Sequence, residues 1–230
     1  MSYIDPGIAR RTRTQRFVYS FVRTVLTGFV KVFWRPTING VEHIPATGGF
    51  IVAPVHRSNI DTFPMVGMTK RRMSFLGKDS LWKTKFSAWF FDVMGGYPVH
   101  RGTADREALR RCIEVVSRGE GLVLFPEGTR QAGPVVQELF EGAAYVASKA
   151  NVPIIPIGIG GTEGAMPKGS KMIHPVKLHY EIAPPIPAPL GPDGGRASRD
   201  QLHATTKHLH DELQRVFDIA RAKAGATSRG

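Results

Sequence analysis

Three short apolar runs, "GGFIVAPV" (48–55), "GLVLF" (121–125) and "VPIIPIGIGG" (152–161), read as buried β-strands. Strands that lack a polar face must be covered on both sides, which places them inside a sheet with helices above and below. Further strands are expected at "RMSFLG" (72–77), "YPVHR" (97–101) and "VKLHYEI" (176–182), the last alternating strictly and so having one wet face. Between them lie stretches with helical spacing: 80–96, with Ser80 as N-cap and a glycine stop, then Thr103 to Gly119, and 140–151. A loop rich in Pro and Gly (183–195) leads to a last helix, where Ser198 and Gln201 form a capping box and Leu202, Leu209, Leu213, Val216 and Phe217 form an apolar stripe. Strands alternating with helices imply an α/β fold, a three-layer domain with a central mixed β-sheet flanked by helices. It spans residues 36–230 and follows a distinct segment, 1–35.

That segment contains "RFVYSFVRTVLTGFVKVFW" (16–34), in which Arg23 and Lys31 interrupt the apolar run. A membrane-spanning helix needs about 20 nearly uncharged apolar residues, so this one falls short, and no signal-peptide cleavage pattern follows it. At about 100° per residue, Arg16, Ser20, Arg23, Thr24, Thr27 and Lys31 share one face, with Val18, Phe21, Val22, Val25, Phe29, Val32 and Phe33 opposite. The expectation is an amphipathic helix lying in a membrane interface, with Arg10, Arg11 and Arg13 nearby for anionic headgroups. A net charge of +12 likewise predicts an anionic partner. One cysteine, Cys112, excludes an intrachain disulfide and suits a reducing compartment. With Leu109, Ile113 and Val116 beside it, Cys112 reads as a core residue.

The chemistry starts at "PVHRSNID" (54–61). Five positions along a straight helix turn a side chain by about 140°, so His56 and Asp61 meet only if the chain bends. Pro54 disfavours helix before the histidine, and Ser58 or Asn59 is a candidate N-cap, which starts a helix at 58–60 with Asp61 in its first turn. The lead-in then folds back so that the carboxylate accepts from His56 Nδ1, leaving Nε2 as a general base. "GGYPVHR" (95–101) ends on Arg101, and "FPEGTR" (125–130) leaves the edge of a buried strand, where α/β proteins place their sites.

Those strings, in this order and followed by "VPIIPIGIGG", resemble the glycerolipid acyltransferase family of the PlsC type, which includes 1-acylglycerol-3-phosphate acyltransferases. The resemblance covers about Thr37 to Ile182. It implies that His56 is the catalytic base and Asp61 its orienting carboxylate. It implies that Arg101 holds the acceptor's phosphate and that Glu127, Gly128, Thr129 and Arg130 form the acceptor-binding motif, with Lys78 as a further basic position. Pro153 and Pro156 fall in the block tied to acyl-donor binding or to shaping the site. The implied reaction moves a fatty acyl group from acyl-CoA or acyl carrier protein to the hydroxyl of lysophosphatidate. Another lysophospholipid, glycerol 3-phosphate or another hydroxylated lipid is an alternative acceptor. The implied place is the cytoplasmic face of the cell membrane, as a peripheral or monotopic protein.

The chemistry agrees with the resemblance. A thiol of pKa about 8.5 leaves readily, so direct transfer needs a base but no metal, cofactor or acyl-enzyme. Arginine forks suit a phosphate, and helix N-terminal amides after "FPEGTR" and backbone amides near His56 are further expected donors. The family's usual asparagine before the histidine is Val55 here, and Pro98 stands where a bulky apolar residue is frequent.

Other readings have less support. The chain has no G-x-S-x-G elbow and no Walker A string, and "GIGGTEG" does not satisfy G-x-G-x-x-G. His203, His208 and His210 lack metal-site spacing and read as a solvated helix face. A basic binding protein for membrane or nucleic acid rests on charge alone, without a nucleic-acid motif, so no nucleic-acid partner is expected. Trp82, Phe86, Trp89, Phe90 and Phe91 fit either a core or an acyl-chain or membrane contact.

Overall fold

Seven strands form one sheet in the order β1-β7-β6-β2-β5-β3-β4. They are β1 (Thr37–Asn39), β2 (Phe50–Pro54), β3 (Met73–Lys78), β4 (Gly96–Val99), β5 (Gly121–Val123), β6 (Ile154–Gly160) and β7 (His179–Ile182). Neighbours run parallel except β6 and β7, so the sheet is mixed. The helices are α1 (Arg13–Phe33), α2 (Thr62–Met68), α3 (Lys85–Met94), α4 (Arg106–Ser117), α5 (Gly142–Ala150), α6 (Thr162–Ala165) and α7 (Arg199–Ala224). The computed structural model describes residues 12–69, 71–99, 106–167, 170 and 172–225. Arg10, Arg11, Arg101 and the Thr103 cap lie outside them.

Helices α1, α2 and α3 cover one face of the sheet, and α4, α5 and α7 cover the other. Strands β2 and β6 are buried at every position, as their unbroken apolar sequence requires. The close packing of α7 on the sheet depends on two glycines of β6. A Cβ on Gly158 would lie 2.2 Å from the Val216 carbonyl oxygen, and one on Gly160 would lie 2.1 Å from that of Ala220. Both glycines therefore face α7, and Ile157 and Ile159 face the α1–α3 layer. The capping boxes at Ser198/Gln201 of α7 and at Thr12/Gln15 of α1 are formed. Cys112 lies in the core.

Several elements differ from the sequence reading, two of them within the sheet and its α1–α3 layer. The stretch 80–96 is a 3-10 turn at Asp79–Trp82 followed by α3, which is capped by Thr84 with Ser87, not by Ser80. Trp82 breaks the helix: its indole donates to Asp92 Oδ1 at 2.9 Å, and its ring fills the space beside Gly77 and Gly96 on β3 and β4. The strand expected from 176 begins only at His179, because its edge partner β1 offers three residues to pair with.

Helix α1 docks along the seam between its two faces. Tyr19, Arg23, Leu26, Thr27 and Val30 turn inward, and the Arg23 guanidinium donates to the Thr69 carbonyl beside α2. Phe17, Phe21, Val25, Phe29 and Val32 face out, with Phe17 70% and Val32 78% exposed. Among the described residues no helix is long and apolar enough to cross a membrane.

Candidate active site

The parallel strands β2, β5, β3 and β6 release their C-terminal ends at one edge of the sheet. The chain leaves β2 toward α2 on one face and leaves β5 toward α5 on the other. A crevice opens where connections diverge in this way, and both polar motifs lie there.

The loop after β2 wraps around a carboxylate. Asp61 Oδ2 accepts the backbone N–H groups of Arg57 at 2.7 Å and Ser58 at 2.8 Å, and lies 2.9 Å from His56 Nδ1. An ionised carboxylate only accepts, so Nδ1 carries the proton and Nε2 presents its lone pair. The bend is tighter than a helix start at 58–60 allows. Residues 59–61 form a turn, α2 begins at Thr62, and neither Ser58 nor Asn59 caps it. Asp61 side-chain exposure is 0% and that of His56 is 12%, which leaves one edge of the imidazole accessible. Phe125 stacks on the ring at 4.0 Å between centroids, holding its plane.

Glu127 takes a place the sequence did not suggest. It is buried, and its carboxylate accepts the His56 N–H at 2.9 Å, the Gln137 N–H at 3.2 Å and the Arg57 guanidinium at 2.8 and 2.9 Å. Its oxygens are committed to donors within the protein. Arg57 was not singled out in the sequence, where it fills a variable position of the H-x₄-D string. It is also buried. It donates to the carbonyls of His56, Gly133 and Val135 and lies over the Phe217 ring of α7. Arg57 and Glu127 thus pin the loop after β2 to the loop after β5. The Gln131 N–H adds a third tie, donating to the His56 carbonyl at 2.8 Å.

Two expected groups of donors are otherwise employed. The N–H groups of His56, Arg57 and Ser58 bond Glu127 and Asp61, so none is left for an oxyanion. No helix follows "FPEGTR" directly, since residues 126–140 are irregular up to α5, and that dipole is missing.

The other motif residues divide by exposure. Gly128, Thr129 and Arg130 are exposed next to the pair, since Gln131 bonds His56. Gly128 has φ +68°, and a Cβ there would meet the Phe140 ring at 2.7 Å, so glycine alone fits. Lys78 ends β3, exposed at the same edge of the sheet. Pro153 and Pro156 work as backbone: their carbonyls accept from Ile51 and Ala183 within the sheet. Val55 is buried, and its N–H donates to Ile157. No group of His, Cys, Asp or Glu among the described residues is arranged to hold a metal ion, and His203 and His210 instead approach Glu141 and Val136.

An apolar cavity of about 390 Å³ lies beside the turn that joins the pair. Asn59 and Thr62, from the His56–Asp61 turn and the start of α2, line it, and Leu26, Met65, Phe75, Phe90, Phe91 and Val123 line it further. The α3 aromatics split accordingly: Phe90 and Phe91 face this cavity, whereas Phe86 is 72% exposed.

The chain is similar in sequence and fold to known acyltransferases. A crystal structure of the 1-acyl-sn-glycerophosphate acyltransferase PlsC from Thermotoga maritima superposes with a TM-score of 0.73 at 25% identity, covering 95% of this chain and 86% of that one. A 1-acyl-sn-glycerol-3-phosphate acyltransferase of Bacillus subtilis (strain 168) is 24% identical over 192 residues, 83% of this chain and 89% of that protein. A chloroplastic 1-acyl-sn-glycerol-3-phosphate acyltransferase of Brassica napus is 29% identical over 144 residues, 61% of this chain but 42% of that protein, so the chain spans less than half the plant relative's length. The family model described as Acyltransferase matches residues 35–160, a span that includes the His56–Asp61 turn, the Glu127–Arg130 motif and β6, and the chain therefore belongs to the acyltransferase family.

Proposed function

We propose that this protein moves a fatty acyl group from an acyl thioester, acyl-CoA or acyl carrier protein, to the free hydroxyl of lysophosphatidate, giving phosphatidate. The observation that carries the reading is the His56–Asp61 pair set beside an apolar cavity. His56 Nε2 takes the hydroxyl proton as the oxygen attacks the thioester carbonyl. The tetrahedral adduct then expels the thiolate, which takes that proton back from the imidazolium. Asp61 holds the tautomer and balances the transient charge. The cavity takes an acyl chain, and Arg130, with Lys78 and Arg101, receives the phosphate. Glu127 acts at one remove, by positioning His56 and Arg57. Substrate enters from an anionic membrane on the cytoplasmic face, against which the outward apolar stripe of α1 rests as an interfacial element.

The test is thiol release from acyl-CoA with and without lysophosphatidate. Wild type is expected to require the acceptor, and His56→Ala is expected to lose about 10²–10⁴-fold in kcat. Arg130→Ala is expected to raise KM for lysophosphatidate while sparing acceptors without phosphate. Equal turnover by wild type and His56→Ala ends the mechanistic reading.

A further inference from the structure

Two buried polar atoms remain unaccounted for beside the catalytic pair. Asp61 Oδ2 accepts three donors, whereas Asp61 Oδ1 is buried and has no partner among the described residues. The Tyr180 hydroxyl on β7 is in the same state, in a side chain that is 0% exposed. Native proteins pair such groups, commonly through a buried water that bonds several polar atoms.

Topology places the two on one side of the sheet. Tyr180 pairs with Ile159 of β6, and cross-strand partners share a face. The adjacent Gly158 and Gly160 face α7, so Ile159 and Tyr180 point the other way, into the layer that contains α2 and the turn holding Asp61. Their proximity has an electrostatic sign as well. Burial, and then the negative charge of Asp61, push the Tyr180 phenol well above its ordinary value of 10.0. Tyr180 therefore keeps its proton and is a standing donor beside an acceptor that lacks one.

We propose that Tyr180 is a positioning residue of the active site, its hydroxyl donating through one buried water to Asp61 Oδ1. The carboxylate is then fixed through both oxygens, Oδ2 toward His56 and Oδ1 toward Tyr180. A carboxylate bonded on one oxygen only is free to swing out of the imidazole plane, and it concentrates more charge on His56. The proposal rests on His56 acting as the base, and its tests separate from that reading.

Tyr180→Phe keeps the ring and removes only the oxygen. The variant is expected to lower kcat about 3–10-fold with unchanged KM for both substrates, and to move the acid limb of the kcat/KM pH profile to higher pH. The His56 imidazole, titrated by nuclear magnetic resonance without substrate, is expected to shift in the same direction. A Tyr180→Phe protein with the wild-type profile and titration overturns the proposal. A high-resolution crystal structure of the wild type is a check independent of turnover. A water bonded to both Asp61 Oδ1 and the Tyr180 hydroxyl supports the proposal, and a dry contact or a different partner for either atom overturns it. Absence of acyl transfer in the wild type would count against the function and leave the water and titration tests standing.

Discussion

At His56 both backbone groups are taken by the loop after β5: the N–H by Glu127, and the C=O by Gln131 with help from Arg57. The His56 imidazole is therefore set by residues about 70 positions away in sequence. Arg57 and Glu127 carry that coupling as a buried ion pair. Such a pair is weak evidence for stability, because two charges lose their hydration, but removing one partner strands the other. Arg57→Ala is expected to cost about 3–5 kcal/mol, a fall in Tm of roughly 6–20 °C at about 2–4 °C per kcal/mol. Arg57→Ala with Glu127→Leu is expected to recover much of that Tm but little kcat, since the loop ties stay broken. Thermal melts and thiol-release assays on the single and double variants check both parts, and activity that returns with stability would assign the pair to folding alone.

Among the elements, β6 and α7 pack backbone against backbone. Extra atoms in a packed core cost about 1–3 kcal/mol, and a Gly158→Ala methyl would meet a backbone carbonyl that cannot turn away. Gly158→Ala is expected to lower Tm by at least that equivalent, followed by circular dichroism. At the sheet's far edge, Thr37 of β1, His179 and Glu181 of β7 and Lys223 of α7 form a chain of hydrogen bonds. Burial alone would raise the Glu181 carboxyl, but the hydrogen bonds and charges of Lys223 and His179 outweigh it and hold the group below 4.5. A depressed carboxyl stabilises the fold above its unfolded value, and the benefit is lost as pH falls through the folded one. Lys223→Met is therefore expected to reduce Tm at pH 7, with the difference shrinking toward pH 3. A constant difference across that range would remove the titration from the account.

At the scale of the whole molecule, the outer side of α1 is an exposed apolar stripe. Phe17, Phe21 and Val32 are exposed on a helix whose other side packs toward α2 and α3. A membrane surface would bury them at about 1.5–3 kcal/mol each. Replacing all three by serine is expected to weaken binding to vesicles containing phosphatidylglycerol by about 100-fold or more. Tm should stay nearly constant, since exposed side chains contribute little to folding. Vesicle co-sedimentation measures the first effect and a melt the second. Binding unchanged by the triple replacement would refute the interfacial role of this face.

The sequence alone determined the layers and the meeting of His56 with Asp61. Unbroken apolar strands must be covered on both faces, so runs such as 48–55 and 152–161 imply helices above and below a sheet. Local cues such as Ser198 with Gln201 fix helix starts, because their partners lie within one turn. The His56–Asp61 pair was legible because its hydrogen bonds close over five residues. The burial of Glu127, the engagement of the His56, Arg57 and Ser58 N–H groups, the inward turn of Arg23 and the placing of Tyr180 on the Asp61 side of the sheet were decided by tertiary structure. Each depends on which strands become neighbours in the order β1-β7-β6-β2-β5-β3-β4. That order is set by packing between distant segments, and neither periodicity nor motif spacing encodes it.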